Sequence, residues 1–244
     1  MFFFVLLGFV SDCVYGNKTK SYSLRDFDGI PLDRKLISKM KMSGGFFIEA
    51  GAHDGVTQSN TKLLEENYGW TGILIEPSEN TYSLLCLNRP RSICINCALG
   101  SFEEDNTYVY GDFDGRLMSS VNGLRSGRTL MVEIKMRSLQ SILDEFGVRH
   151  VNLFSLDTEG YELNILKGID FKKTTFDYLL IETYPSEQDE IVSLLSGNGY
   201  DMVECFSNYN KESNPLWDGT HNDYLFKKRD DTEHDRKTSV SKLR

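Results

Sequence analysis

The stretch FFIEAGAHDG, residues 46–55, decides the fold. Its first five residues form a short and mostly apolar run, which is typical of strands that are buried on both faces. Gly51 and Gly55 follow, and glycine at such positions allows a tight turn and a close approach of the backbone to a ligand. A helical pattern then begins at Ser59. A buried strand that passes through a glycine-rich turn into a helix is the first unit of a parallel α/β sheet.

The same alternation continues along the chain. Short apolar or alternating runs predict further strands at 72–77, 93–97, 107–110, 130–136, 151–156, 177–182, 200–206 and 223–226. Helical patterns predict helices at 31–40, 59–68, 79–88, 139–146, 161–167 and 186–196. Strands that alternate with helices form mostly parallel sheets with helices on both faces. Such sheets bind ligands beyond the carboxyl ends of their strands, so we expect the site there.

Composition and charge limit the class of function. The chain has 244 residues, of which 40% are hydrophobic and 26% charged, and this is typical of one soluble globular domain. Its net charge of −9 argues against nucleic acid as a partner, because binding to a phosphate backbone needs a basic surface. Five cysteines with a single C-x-x-C, at Cys94 and Cys97, provide neither a disulfide framework nor a zinc site.

The two ends of the chain differ in composition from its middle. Residues 1–16 are too short for a membrane-spanning helix and fit the apolar region of a secretory signal, whose removal would expose a glycosylation sequon at Asn17. The alternatives are a buried N-terminal segment or part of a longer anchor. We expect a helical extension at 17–42, the main domain at 43–228, and a polar, disordered tail at 229–244. The expected location is the secretory pathway or the extracellular space, with the cytoplasm as the alternative and without a stable membrane span.

A second carboxylate at a strand end indicates the ligand. Glu76 lies at the end of the second strand, 21 residues after Gly55, where a carboxylate can accept both hydroxyls of a ribose. The structural alternative is a cap for the helix that follows Pro77. The glycine turn lacks the G-x-G-x-x-G of dinucleotide-binding folds and the Lys-Ser/Thr of a P-loop. We therefore interpret the site as one for an adenosine without a diphosphate, which is S-adenosylmethionine.

Two blocks of sequence resemble the FkbM-type methyltransferase family. The first is FIEAGAHDG at 47–55, with SNT, GWTG and LIEP after it, and the second is FSLDTEGYELNILKG at 154–168. The blocks lie in the family's order, and the resemblance extends over 43–228. It implies a single domain with a Rossmann-like, doubly wound, mostly parallel sheet. It also implies an S-adenosylmethionine-dependent methyltransferase, usually one that methylates a hydroxyl of a sugar or small metabolite.

The resemblance also implies which residues bind the cofactor. They lie at or just after the ends of the first three predicted strands, and they are Glu49, Gly51, Ala52, Gly55, Glu76, Pro77 and Ala98. Among them, Glu49 and the two glycines would hold the methionine end of the cofactor, and Glu76 would hold the ribose. The sequence departs from many members of the family at Ser155-Leu156, where they have Lys-Ile, so a role for that lysine does not transfer.

Carboxylates of the second block are candidates for catalysis. Asp157 ends a buried strand, where a carboxylate is costly unless it is used or paired. Either Asp157 or Glu159 could orient or deprotonate the acceptor hydroxyl. His53 is a third candidate base, with hydrogen bonding at the helix entry as the alternative. Glu162 is expected to act through the helix dipole, and no spacing in the sequence demands a metal ion.

The expected partner is a small-molecule or glycan acceptor whose identity the sequence leaves open, as it does the oligomeric state. Contacts with the acceptor are expected from the loops at 100–128 and 207–222, where His221 and Trp217 are candidates. The alternative function is a non-catalytic protein with the same fold that acts in binding or membrane trafficking. An oxidoreductase is disfavoured, because the glycine turn lacks the dinucleotide pattern.

Overall fold

The structure is a computed structural model that describes residues 20–115, 119–121, 131–212, 217 and 219–230. The apolar N-terminal segment, the sequon at Asn17 and most of the polar tail lie outside the described residues. Within the described ranges, no helix combines the length and the hydrophobicity that crossing a membrane requires.

Short helices and strands alternate along the described chain. The helices are α1 (Leu32–Met40), α2 (Lys62–Tyr68), α3 (Glu79–Asn88), α4 (Leu139–Glu145), α5 (Glu162–Leu166) and α6 (Gln188–Gly197). The strands are β1 (Phe46–Ala50), β2 (Thr71–Ile75), β3 (Ile93–Ile95), β4 (Ala98–Gly100), β5 (Tyr108–Gly111), β6 (Val132–Ser138), β7 (His150–Leu156), β8 (Thr175–Thr183), β9 (Tyr200–Cys205) and β10 (Asn222–Lys228).

Seven of these strands form one sheet in the order β3-β2-β1-β7-β8-β10-β9. The pairs from β3 to β8 are parallel, whereas β10 runs antiparallel to both β8 and β9. The prediction of a mostly parallel sheet is therefore confirmed. The insertion of β10 between β8 and β9 was not predicted, because strand order depends on contacts that are distant in sequence.

The strand order creates a crevice beside β1. From β1 the chain runs outward through β2 to β3, and it later returns to the other side of β1 as β7. The register aligns Ala50 with Ile75 on one side and with Leu156 on the other. The residues that follow these three positions meet at one edge of the sheet, where open α/β sheets bind ligands.

Successive side chains of β1 point into two separate hydrophobic cores, as alternation along a strand requires. Ile48 packs in one core with residues of α4, α5 and α6, and Phe47 packs in the other with residues of α1, α2 and α3. Both side chains are fully buried, which stabilises the fold by about 1.5–3 kcal/mol each. The predicted helices on both faces of the sheet are thus confirmed.

A second, smaller sheet has the order β4-β6-β5. The chain leaves the large sheet after Ile95, and β4 then pairs with β6. The side-chain amide of Asn96 fixes this bend, because it donates to the carbonyl oxygens of Glu76 and Pro77 at 2.9 and 3.0 Å. The single strand predicted at 93–97 therefore divides between two sheets.

Helix α2 begins three residues later than its pattern predicts. Residues 59–61 precede the helix, and their donors point to the buried carboxylate of Glu49. A buried carboxylate needs hydrogen bonds, and the chain supplies them here instead of a further helical turn.

Candidate functional site

A cleft of about 890 Å³, including its open mouth, lies at the carboxyl ends of β1, β2 and β7. All three candidate catalytic residues and six of the seven candidate cofactor residues line it. They are Asp157, Glu159, His53, Glu49, Gly51, Ala52, Glu76, Pro77 and Ala98.

The two glycines of the turn have different structural roles. Gly51 has a φ of +78°, and a Cβ atom there would lie 1.8 Å from the carbonyl oxygen of Asp157. Glycine at this position therefore lets the ends of β1 and β7 touch. Gly55 is not among the described residues that line the cleft. A Cβ atom at Gly55 would lie 2.6 Å from Arg89 and from Leu85, so this glycine makes room for packing.

The carboxylate of Glu49 is buried and already hydrogen bonded. It accepts from the hydroxyls of Ser59 and Thr61 at 2.9 and 2.6 Å, and from the backbone N–H of Asn60 at 2.8 Å. Nη1 of Arg89 lies 3.6 Å from its Oε2. Glu49 therefore holds the segment that follows the glycine turn, and its contact with a methionine end stays a prediction.

Arg89 supports the glycine turn, and it was not predicted from the sequence. Its side chain is 0% exposed. Nε donates to Glu65 at 2.7 Å, and Nη1 donates to the carbonyl oxygen of Gly55 at 3.1 Å and to Ser59 Oγ at 3.2 Å. A buried charge needs such partners. No local pattern identifies Arg89, because its partners come from other segments of the chain.

Glu76 lies on the cleft wall with its carboxylate largely buried. Oε1 accepts from the N–H of Ser78 at 2.9 Å and from Thr81 Oγ1 at 3.0 Å, and Oε2 accepts from the N–H of His53 at 2.8 Å. Burial raises the pKa of Glu76 above its ordinary value, and these hydrogen bonds oppose the shift. A carboxylate has about four acceptor positions. Within the described residues, one position on Oε2 is therefore open.

His53 connects the glycine turn with the loop before Gly115. The residue has a φ of +48°, and its Nε2 lies 3.2 Å from the carbonyl oxygen of Gly115. Its Nδ1 lies 3.6 Å from Asp54 and has no hydrogen-bond partner in the part of the chain that the structure describes. The backbone of His53 thus orders Glu76, and the role of the ring as a base stays a prediction.

The loop after β7 folds around Glu162. This side chain is 0% exposed. Oε1 accepts from the N–H and the hydroxyl of Thr158 at 2.7 and 2.9 Å, and Oε2 accepts from the N–H of Gly160 at 3.1 Å. Burial raises the pKa of Glu162 to about 7. Glu162 was expected to act through the helix dipole, but its side chain mainly holds this loop, in which Glu159 has a φ of +61°.

Asp157 and Glu182 lie close together at the ends of two neighbouring strands. Burial, and then the charges of Glu159 and Asp223, raise the pKa of Asp157 well above its ordinary value, and a hydrogen bond with Glu182 opposes this shift. Burial, and then the charge of Asp157, raise the pKa of Glu182 well above its ordinary value. Neighbouring carboxylates that resist ionisation are common at functional sites.

Tyr184, which was not predicted, contacts this carboxylate pair, and Tyr209 packs against the neighbouring His221. The hydroxyl of Tyr184 donates to Glu182 at 2.7 Å and to Glu159 at 3.2 Å. The ring of His221 packs against the rings of Tyr184 and Tyr209, with centroids 5.7 and 6.2 Å apart. Nε2 of His221 lies 3.4 Å from Glu182. His221 of the late loop therefore lies beside Glu182, and contact of this loop with an acceptor stays a prediction.

His221 and Trp217, the candidates for acceptor contacts, lie together. Trp217 Nε1 donates to the carbonyl oxygen of His221 at 2.9 Å, and the ring centroids are 6.4 Å apart. Neither is among the described residues that line the cleft. The position of Tyr184 just after the strand predicted at 177–182 is a signal that could have identified it. Tyr209 has no such signal, because it packs against His221 from a polar loop.

Comparisons with known proteins indicate the family. The model of the methyltransferase FkbM domain matches residues 49–202. Among solved structures, a methyltransferase FkbM from Methylobacillus flagellatus is 19% identical with a TM-score of 0.48, and the match covers 75% of this chain and 43% of that one. No curated protein sequence matches the chain.

Two further solved structures have similar scores. A TehB-like SAM-dependent methyltransferase from Corynebacterium glutamicum is 11% identical with a TM-score of 0.44, covering 81% of this chain and 88% of that one. The human methyltransferase 10 domain containing protein is 11% identical with a TM-score of 0.46, covering 82% and 83%.

Proposed function

Because the chain belongs to the FkbM methyltransferase family, we propose that it transfers a methyl group from S-adenosylmethionine to a hydroxyl oxygen of a sugar or another small metabolite. The cofactor supplies an electrophilic methyl group on a positively charged sulfur. The protein has to hold cofactor and acceptor oxygen in line and at short distance.

The observation that carries the proposal is the position of Glu76. Glu76 follows β2 and lines the cleft, and among the described residues its Oε2 accepts only from the N–H of His53. A ribose hydroxyl that donates to this oxygen would form a hydrogen bond to a charged group, which is typically worth about 1.5–3 kcal/mol. The backbone of His53 and the side chain of Thr81 hold the carboxylate in place, so the Glu76 side chain loses little conformational entropy when a ribose binds.

The rest of the cleft fits the other parts of the cofactor. Apolar and small side chains from β4 and the segments around it form a wall that suits an adenine ring. They are Cys97, Ala98, Leu99, Phe113 and Val121. At the opposite side, Gly51 lacks a side chain where the ends of β1 and β7 touch, so the methionine end can approach the backbone.

Asp157 and Glu159 are the groups we assign to the acceptor. Both line the cleft next to Gly51, and Tyr184 holds Glu159 through a hydrogen bond of 3.2 Å. A carboxylate there can accept the hydrogen bond of an acceptor hydroxyl and orient its oxygen toward the methyl group. It can also accept the proton as the new carbon–oxygen bond forms.

An acceptor screen with methyl-labelled S-adenosylmethionine tests the proposal. We expect label in at least one glycan or small alcohol, and loss of transfer in Glu76→Ala. The variant Glu79→Gln, which changes an exposed carboxylate outside the cleft, is the matched control and should retain transfer. Cofactor binding without transfer to any acceptor would instead support the non-catalytic alternative.

A further inference from the structure

Two half-buried thiols lie where helix α3 packs against β3, which is an edge strand of the large sheet. Cys86 belongs to α3 and Cys94 to β3. Cys94 pairs in register with Leu74, which lies in the core formed with α1, α2 and α3, and Cys94 packs against the same core. The Cys94 side chain therefore points to the face of the sheet that α3 covers.

Tyr82 shows which side of α3 contacts Cys94. Its hydroxyl donates to the carbonyl oxygen of Cys94 at 3.5 Å. Cys86 lies four residues after Tyr82, and side chains at this spacing are neighbours on one helix face, with Cβ atoms about 5–6 Å apart. The Cys86 side chain is therefore directed toward the same part of β3.

Hydrogen bonds of the Cys86 thiol agree with this placement. The thiol forms one with the hydroxyl of Tyr82 and one with the thiol of Cys94. Burial, and then the charge of Cys86, raise the pKa of Cys94 to about 12. The two sulfur atoms are therefore in contact, and both belong to residues that are only half-buried.

We propose that Cys86 and Cys94 form a redox-sensitive pair, which a low-molecular-weight disulfide such as oxidised glutathione converts into a disulfide bond. The Cys86 thiolate attacks one sulfur of oxidised glutathione, and one glutathione thiolate leaves. The Cys94 thiol then loses its proton and attacks the Cys86 sulfur, and the second glutathione thiolate leaves. The two cysteines lose two electrons and two protons, and one oxidised glutathione becomes two reduced ones.

The order of the two steps follows from the environment of Cys94. Its raised pKa keeps the thiol protonated at neutral pH, whereas only a thiolate attacks a disulfide. Cys86 is therefore the first nucleophile. Its charge disappears in the mixed disulfide, and one of the causes that raise the pKa of Cys94 disappears with it. The second step thus becomes easier once the first has occurred.

The bond would join α3 to the edge strand of the large sheet. Thr81 of the same helix donates to the carboxylate of Glu76 at 3.0 Å, so the bond would restrain a support of the cleft wall. It would form where the glutathione couple is oxidising and stay open where the couple is reducing. The thiol pair goes beyond the proposed methyl transfer, and its state can be measured without cofactor or acceptor.

Oxidation of the folded full chain, in glutathione buffers with an increasing oxidised fraction, tests the pair. N-ethylmaleimide then blocks the remaining thiols, and trypsin without a reductant cleaves the chain after Arg91. We expect mass spectrometry to find peptides 63–91 and 92–116 linked, with N-ethylmaleimide on Cys97. The equilibrium constant for the link should be at least about tenfold larger in native buffer than in urea, because the fold holds the thiols together.

Cys86→Ser should abolish the link. Cys205→Ser, which changes a half-buried cysteine on β9, is the matched control and should retain it. Urea unfolding curves establish that both variants are folded. Complete alkylation of Cys86 and Cys94 at the highest oxidised fraction would overturn the proposal. A link from Cys86 to Cys97 instead of Cys94, or equal equilibrium constants in native buffer and in urea, would overturn it as well.

Discussion

The close approach of the ends of β1 and β7 at Gly51 leads to a quantitative prediction for Gly51→Ala. A φ of +78° costs a residue with a Cβ about 1–2 kcal/mol. The new Cβ would also lie 1.8 Å from the carbonyl oxygen of Asp157, whereas ordinary contacts begin at 3.4 Å. The two strand ends must therefore separate, and overpacking of this kind costs about 1–3 kcal/mol. We expect a total loss of about 2–5 kcal/mol in the free energy of unfolding.

Gly29→Ala is the matched control. Gly29 has a φ of +77°, but a Cβ there meets nothing within 4 Å. Both substitutions restrict the unfolded chain equally, so this contribution cancels between them. Gly29→Ala should lower the free energy of unfolding by only about 1–2 kcal/mol, which is the cost of the strained backbone. The difference between the two variants measures the contact between the strand ends.

Urea unfolding, extrapolated linearly to zero denaturant, measures both losses. A domain of typical stability, about 5–15 kcal/mol, remains folded in either variant. Calorimetry then shows whether the separated strand ends still bind S-adenosylhomocysteine, and we expect weaker binding in Gly51→Ala alone. Equal losses of stability in the two variants would refute the argument that glycine is required for this contact.

Three further predictions concern buried and catalytic charges. Arg89→Met should lower the free energy of unfolding by about 3–5 kcal/mol, because it leaves Glu65 buried without its main partner. The control, Arg91→Met, removes a 56% exposed partner of the same carboxylate and should lower the free energy of unfolding by about 0–1 kcal/mol. Urea unfolding of both variants measures the two losses. Asp157→Asn should lower the single-turnover rate about 10²–10⁴-fold per folded molecule if it is base or orienting group, and a fully active but destabilised variant would contradict that role. The affinity for S-adenosylhomocysteine should fall as the pH decreases, beginning while the pH is still above 4.5, because burial raises the pKa of Glu76 and protonation removes the charged acceptor. Calorimetry at several pH values should find this fall in the wild-type chain and not in Glu76→Gln.

Much of the fold could be predicted because its signals are local. The apolar run at 46–50 and the glycines after it define β1 and its turn, and the helix predicted at 79–88 matches α3. The small sheet and the position of β10 could not be predicted in this way. Both depend on pairing between segments that are far apart in the chain, which periodicity does not report.

The candidate site could likewise be predicted only in part. Glu76 and Asp157 could be identified because they directly follow buried strands, and the carboxyl ends of such strands meet at the binding edge. The environment of each carboxylate could not be foreseen. Arg89 supports the glycine turn from another segment, and Tyr209 packs against His221. Only the folded chain shows that Glu162 is buried rather than exposed at a helix start.

The most direct test of the account is calorimetric titration of S-adenosylhomocysteine into the wild-type chain and into Glu76→Ala. We expect one site per chain, and affinity in the variant that is weaker by about 1.5–3 kcal/mol, or roughly 10- to 150-fold. Glu79→Gln should bind as the wild type does. Absence of binding to the folded wild-type chain, or equal affinity in Glu76→Ala, would contradict the assignment of this cleft to S-adenosylmethionine.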